Sequence, residues 1–154
     1  MHPRMVPLTD NGLELLTPEE CHDLLARMGV GRVGVTIAAL PAIFPVNYGF
    51  LDEDIVFLTS EGTKLRAAVD RAVVAFQVDQ FDLATGSGWS VLAVGIATEI
   101  TDPEELAAAR RLGLRPMAPG DRTHWVRIRP EFVSGRRILL GDNGVSAVPG
   151  ASAR

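Results

Sequence analysis

This chain of 154 residues is short of several things. It has one cysteine, Cys21, so no internal disulfide can form and no thiolate metal site is expected. That suits a reducing compartment, and a cytoplasmic location is the expectation. Its three histidines, His2, His22 and His124, fall at no metal-ligand spacing. No stretch approaches the ~18 consecutive apolar residues of a membrane span. The opening Met1-His2-Pro3-Arg4-Met5 is not followed by the apolar run of a secretory signal. With a net charge of −4, no basic field draws the chain to nucleic acid or an anionic membrane. Lysine is nearly absent: Lys64 is the only one, and the other fourteen basic residues are arginine.

The composition that remains, 47% hydrophobic and 22% charged, is that of one globular domain. Residues 1–16 read as an irregular lead-in, 17–140 as the domain, and 141–154, rich in Gly, Ser, Ala and Pro, as a flexible tail. Thr17-Pro18-Glu19-Glu20 opens a helix: Thr17 caps it, Pro18 suits its first position and Glu20 closes a capping box. Cys21, Leu24, Leu25 and Met28 then share one helical face, which makes Cys21 a small core residue. Gly29 ends the helix.

Alternating apolar residues predict strands over 31–38, 42–50, 55–59, 73–78, 89–100 and 123–129. A turn is expected at Ala39-Leu40-Pro41, a loop over 79–88, and short helices over 63–69 and 101–113. Pro45 implies an edge or a bulge, and Gly95 a bend or a close backbone approach. Pro130 interrupts the last strand, with 133–140 continuing as an edge. Six strands with short helices between them, in no regular strand–helix alternation, predict a mainly β protein: a six-stranded antiparallel barrel with helices on its rim.

Residues 44–64 carry the chemistry. Phe44-Pro45-Val46-Asn47-Tyr48 sets an amide and a phenol among apolar neighbours. The next strand ends in Thr59-Ser60-Glu61-Gly62-Thr63-Lys64, a group of hydroxyls, a glycine and the lone lysine. A compact ammonium beside hydroxyls and backbone N–H groups at a helix start is an anion-binding set. Elsewhere the signals are bland. His124 reads as a strand histidine with its hydrogen bonds satisfied, Trp125 as a core or interface residue, and Arg136 and Arg137 as a solvated edge. Gly86-Ser87-Gly88-Trp89-Ser90 lacks the Gly-x-Ser-x-Gly elbow of a hydrolase.

The order of Gly31-Arg32-Val33-Gly34, Phe44-Pro45-Val46-Asn47-Tyr48, Thr59-Ser60-Glu61-Gly62-Thr63-Lys64, Trp89-Ser90-Val91 and Val126-Arg127-Ile128-Arg129-Pro130 resembles the FMN-binding split-barrel superfamily. More narrowly, it looks like the pyridoxamine 5′-phosphate oxidase-like proteins of actinobacteria. The resemblance covers residues 15–138 or so, carried by motif order and spacing. It implies a Greek-key split barrel that forms a homodimer with flavin sites at the interface, and an FMN-dependent oxidoreductase acting on a small molecule. Thr59, Ser60, Thr63 and Lys64 would hold the FMN phosphate. Phe44, Pro45, Val46, Asn47 and Tyr48 would lie along the isoalloxazine ring, and Trp89 and Ser90 would approach it, from the partner subunit or from the same one. The superfamily also includes binders of the deazaflavin F420 and of haem, which leaves a carrier or sensor without dedicated catalysis as the alternative. One departure matters. The Arg-rich C-terminal segment with which true pyridoxamine phosphate oxidases grip substrate is reduced here to Gly135-Arg136-Arg137-Ile138, so that substrate is not implied.

Overall fold

The computed structural model describes residues 13–117, 120 and 122–138. The tail expected over 141–154 and most of the lead-in lie outside the described residues. The elements are β1 (Leu13–Leu15), α1 (Pro18–Arg27), β2 (Val30–Ile37), β3 (Leu40–Leu51), β4 (Asp54–Ser60), α2 (Lys64–Ala68), β5 (Ala72–Asp82), β6 (Ser87–Glu99), α3 (Pro103–Arg110) and β7 (Thr123–Ile138).

All strand pairs are antiparallel. Their order is β1-β7-β4-β3-β2-β5-β6, and a further β6–β7 pairing closes β2 through β7 into a six-stranded barrel. Three hairpin-linked strands, β2, β3 and β4, are followed by β5 returning beside β2, which is the Greek-key arrangement. Residues 13–15 are not irregular: they pair with residues 136–138 of β7 as a seventh, short strand.

α1 forms as its sequence dictates. Glu20 N donates to Thr17 Oγ1 at 3.2 Å and Thr17 N to Glu20 Oε2 at 2.8 Å, so two otherwise unpaired donors are satisfied. Its apolar face, Cys21, Leu24 and Leu25, plugs one end of the barrel core, which is filled by Val33, Val46, Ile55, Phe57, Phe76, Val91 and Ile128. A second cluster of Val56, Leu58, Ile100, Ala109 and Trp125 lies outside β4 and beneath α3. β4 is therefore covered on both faces, and Ile55 to Ser60 are buried without alternation.

The structure corrects several local expectations. The β2–β3 turn is Ala38–Ala39, both with positive φ (47° and 64°), while Leu40 and Pro41 are already in strand register with Ile37 and Thr36. From that two-residue hairpin the hydrogen-bonded pairs alternate, so Pro41 and Pro45 fall where the backbone nitrogen faces away from β2. Among the described residues, β3 has no second neighbour between residues 40 and 47, and the proline expectation of an edge holds. Residues 79–82 and 87–88, expected as loop, are paired strand up to Asp82↔Ser87, because polar side chains at an extended hairpin tip hide the ladder. Along β5, Val73 is 69% exposed whereas Val74, Phe76 and Val78 are buried, so the strand alternates.

β7 is one continuous strand, not broken at Pro130. Its partner β6 shifts register between Val94 and Gly95, with Val94 opposite Phe132 and Gly95 opposite Pro130. The bulge absorbs the missing proline donor. Residues 133–138 of β7 pair with β6 on one side; 136–138 also pair with β1 on the other and are not an edge. No helix among the described residues is long and apolar enough to cross a membrane.

Candidate functional site

The barrel opens at one seam. β3 and β4 pair only from Tyr48↔Phe57 to Leu51↔Asp54. Beyond that, β3 follows β2 and β4 follows β7, so the two strands diverge into a wedge. Continued, the register would face Val46 with Thr59 and Pro45 with Ser60. The two stretches that stand out in the sequence therefore form the two walls of one wedge.

Each wall splits by alternation. On β3, Val46 and Tyr48 are 2% and 3% exposed and belong to the barrel core. The Tyr48 hydroxyl donates to the Leu25 carbonyl of α1, its ring stands edge-on to Phe76 at 4.8 Å, and burial pushes its pKa well above the ordinary value. Phe44 packs partly against the same core. The side chains of Val46 and Tyr48 face the core, and at those positions the backbone is turned to the wedge. Pro45 and Asn47 point outward, and Asn47 Nδ2 donates to the Arg115 carbonyl at 2.9 Å. That bond ties the loop after α3 to the wedge, and the same loop brings Gly120 so close to Ser60 that a β-carbon would sit 2.6 Å from Ser60 Cβ.

On the other wall, Thr59 shares the inward face of Phe57 and Ser60 the opposite one. Both are buried, at 3% and 2% exposure. Thr63 caps α2: its hydroxyl accepts from Arg66 N at 3.1 Å and donates to the Ser60 carbonyl at 2.8 Å. Lys64 follows, exposed and without an ion-pair partner among the described residues. Among the described residues, the buried side-chain atoms lacking a hydrogen bond are Thr59 Oγ1, at the end of β4, and Arg66 Nε, in α2. Buried polar atoms are nearly always paired, so two unpartnered atoms in the segments that flank this turn fit an anionic group supplied from outside.

Trp89 and Ser90 do not join this wedge within one chain. They lie at the start of β6, paired with Gln80 and Asp79 of β5 and with Arg137 and Arg136 of β7, and β6 neighbours neither β3 nor β4. Trp89 packs partly on its own barrel core.

A charged chain behind the turn escaped the sequence reading. His124 of β7 stands opposite Thr59. Its Nδ1 meets Glu99 Oε1 at 2.6 Å, and its Nε2 contacts the Glu61 carboxylate. Glu99 Oε2 in turn accepts from Arg66 at 2.8 Å. The expectation of a satisfied strand histidine holds, with carboxylates as the partners. The Glu99 hydrogen bond holds the imidazole pKa above its ordinary value; burial opposes this and Glu61 adds to it. These partners lie 25 and 63 residues away, beyond any spacing signal. A cleft of about 300 Å³ lined by Glu99, Arg110, Thr123, His124 and Trp125 opens beside the chain.

The pyridoxamine 5′-phosphate oxidase family profile matches residues 17–137. The chain belongs to that family. It is 40% identical over 129 residues to the uncharacterised protein Rv0080 of Mycobacterium tuberculosis, covering 80% of this chain and 84% of that one. Among solved structures, a FAD-binding protein from Mycobacterium smegmatis superposes with a TM-score of 0.71 at 37% identity, covering 82% of this chain and 98% of that one. A protein of unknown function from Corynebacterium diphtheriae gives 0.70 at 31% identity, covering 84% of this chain and all (100%) of its own.

Proposed function

We propose that this chain is a flavin-dependent oxidoreductase that holds FMN in the wedge between β3 and β4. The observation that carries the reading is the unpartnered, buried Thr59 hydroxyl at the end of β4, five residues before the exposed Lys64. In this reading Lys64 and Thr59 take the phosphate, while Ser60, on the opposite face of β4, and Thr63, through its cap, shape the turn. Asn47 and the backbone of residues 44–48 lie along the ring. The flavin supplies the redox chemistry, and the protein orients it, shields it and sets the charge around it. FAD is the second reading, favoured by the 37% identical relative described as FAD-binding. F420 and haem have no comparable support, and a pyridoxamine phosphate substrate has none in the short C-terminal arginine pair.

A homodimer is part of the same proposal. Ile43, Gly34, Ala75, Val94 and Phe132 line up in register across five strands on the outer barrel face. Ile43 is 71% and Phe132 44% exposed, with Val73 and Ile96 paired beside them. An apolar band of this kind marks an association surface, and it runs on to Pro45 at the wedge. A second copy seated there supplies the route by which Trp89 and Ser90 reach the cofactor. A cytoplasmic location completes the reading and rests on the buried, free Cys21.

The test is an absorption spectrum of the purified protein and mass spectrometry of whatever heat releases, followed by an FMN titration of Lys64→Ala. We expect flavin bands, and for the variant an affinity lower by about ten- to hundredfold, the range for a hydrogen bond to a charged group. Unchanged affinity would remove Lys64 from the site. A protein that is colourless and does not take up added flavin would overturn the reading. Turnover with NAD(P)H and an acceptor separates an enzyme from a carrier.

A further inference from the structure

His124 occupies an unusual position: both ring nitrogens face carboxylates, Glu99 from β6 and Glu61 from the turn between β4 and α2. Only the imidazolium donates to both at once; the neutral ring has a single N–H. The two carboxylates are not equally held. Glu99 is also tied to Arg66 at 2.8 Å and its side chain is 30% exposed, whereas Glu61 has His124 as its only ion-pair partner among the described residues and is 58% exposed. When the ring loses its proton, Glu61 is the one released. It stands between Ser60 and Thr63, and three residues before Lys64, on the turn read above as a phosphate cradle. The remaining charges facing the ring are Arg66 from α2 and Arg110 from α3 across the shared cleft.

We propose that His124 is a positioning residue for the phosphate end of the site. Protonated, it holds the Glu61 carboxylate back against β7. Neutral, it frees that carboxylate to compete for Lys64 and repel the ligand, so affinity for a phosphate-bearing ligand falls as the imidazole loses its proton. The inference rests on the flavin reading. The sign follows from the geometry: the clamp is complete below the ordinary histidine pKa of about 6.5 and is lost as pH rises through the higher value His124 has in the fold. A phosphate monoester, with a second pKa near 6, is already a dianion above neutrality, so ligand charge stays constant in that window.

The test is equilibrium titration of the intact protein with FMN from about pH 7 to about pH 9. Wild type should lose affinity roughly fivefold, the upper end for one partly exposed charge interaction. Glu61→Gln should stay tight and flat across that range, and His124→Gln should be flat at the weaker value. Riboflavin, the same ring without a phosphate, should show no slope. A flat wild-type profile, a slope that survives Glu61→Gln, or an equal slope with riboflavin overturns the switch while leaving the flavin reading intact. Failure of wild type to bind FMN at any pH overturns that reading and this inference with it.

Discussion

Gly95 of β6 lies against Arg129 of β7 so tightly that a β-carbon on it would sit 2.0 Å from the Arg129 carbonyl oxygen. The contact is made where the β6–β7 register shifts and Pro130 enters the ladder. Only glycine lets the two backbones meet there. Gly95→Ala should lower stability by about 2–3 kcal/mol, as overpacking against rigid backbone does. Urea denaturation of the variant gives the number, and a loss below 0.5 kcal/mol, about that of an ordinary surface change, would mean that the bulge is not set by this contact.

The hairpin between β2 and β3 carries the opposite kind of defect. Ala38 and Ala39 both take the left-handed conformation, which a two-residue turn of this hand requires and which alanine adopts only at a cost of about 1–2 kcal/mol. Asn at the first position and Gly at the second are the residues that turn prefers. The double substitution Ala38→Asn, Ala39→Gly should therefore stabilise the protein by about 1–2 kcal/mol, read as a rise in thermal midpoint. No rise would show that these alanines are not strained.

That hairpin also marks the limit of what a single sequence reveals. Thr17-Pro18-Glu19-Glu20 announces α1 because a capping box is local: every atom it uses lies within four residues. Two alanines announce no turn, since the register of the flanking strands imposes their conformation. The lengths of β5 and β6 were hidden for a related reason: Gln80, Asp82 and Ser87 pair across the hairpin through their backbones, which composition does not report. The two walls of the wedge were legible as motifs, but their facing was not. Strand alternation turns Val46 and Tyr48 inward and Pro45 and Asn47 outward. The Glu61–His124–Glu99–Arg66 chain joins four elements and exists only once the barrel has closed.

Tyr48 tests that division of labour. Its hydroxyl is buried and donates to the Leu25 carbonyl, which ties β3 to α1. Tyr48→Phe leaves that carbonyl without its donor and should cost about 1–3 kcal/mol of stability. Flavin affinity should be unchanged, because the side chain faces the core. An affinity loss at full stability would return Tyr48 to the cofactor site and contradict the inward placement.

Thr59 should behave in the reverse way, and the contrast is diagnostic. A buried hydroxyl without a partner is a burden on the ligand-free fold, since its desolvation is not offset. Replacing it by a methyl group of similar volume removes that burden. Thr59→Val should leave the ligand-free protein as stable as wild type or more so, by up to about 1 kcal/mol, while weakening flavin binding. A purely structural hydroxyl with an unseen partner predicts the opposite pair of results: lower stability and unaltered affinity. Denaturation of the ligand-free protein and a flavin titration, run on one preparation, separate the two. Most buried substitutions lower stability, so a gain together with weaker binding would identify Thr59 as a residue the fold keeps for its ligand.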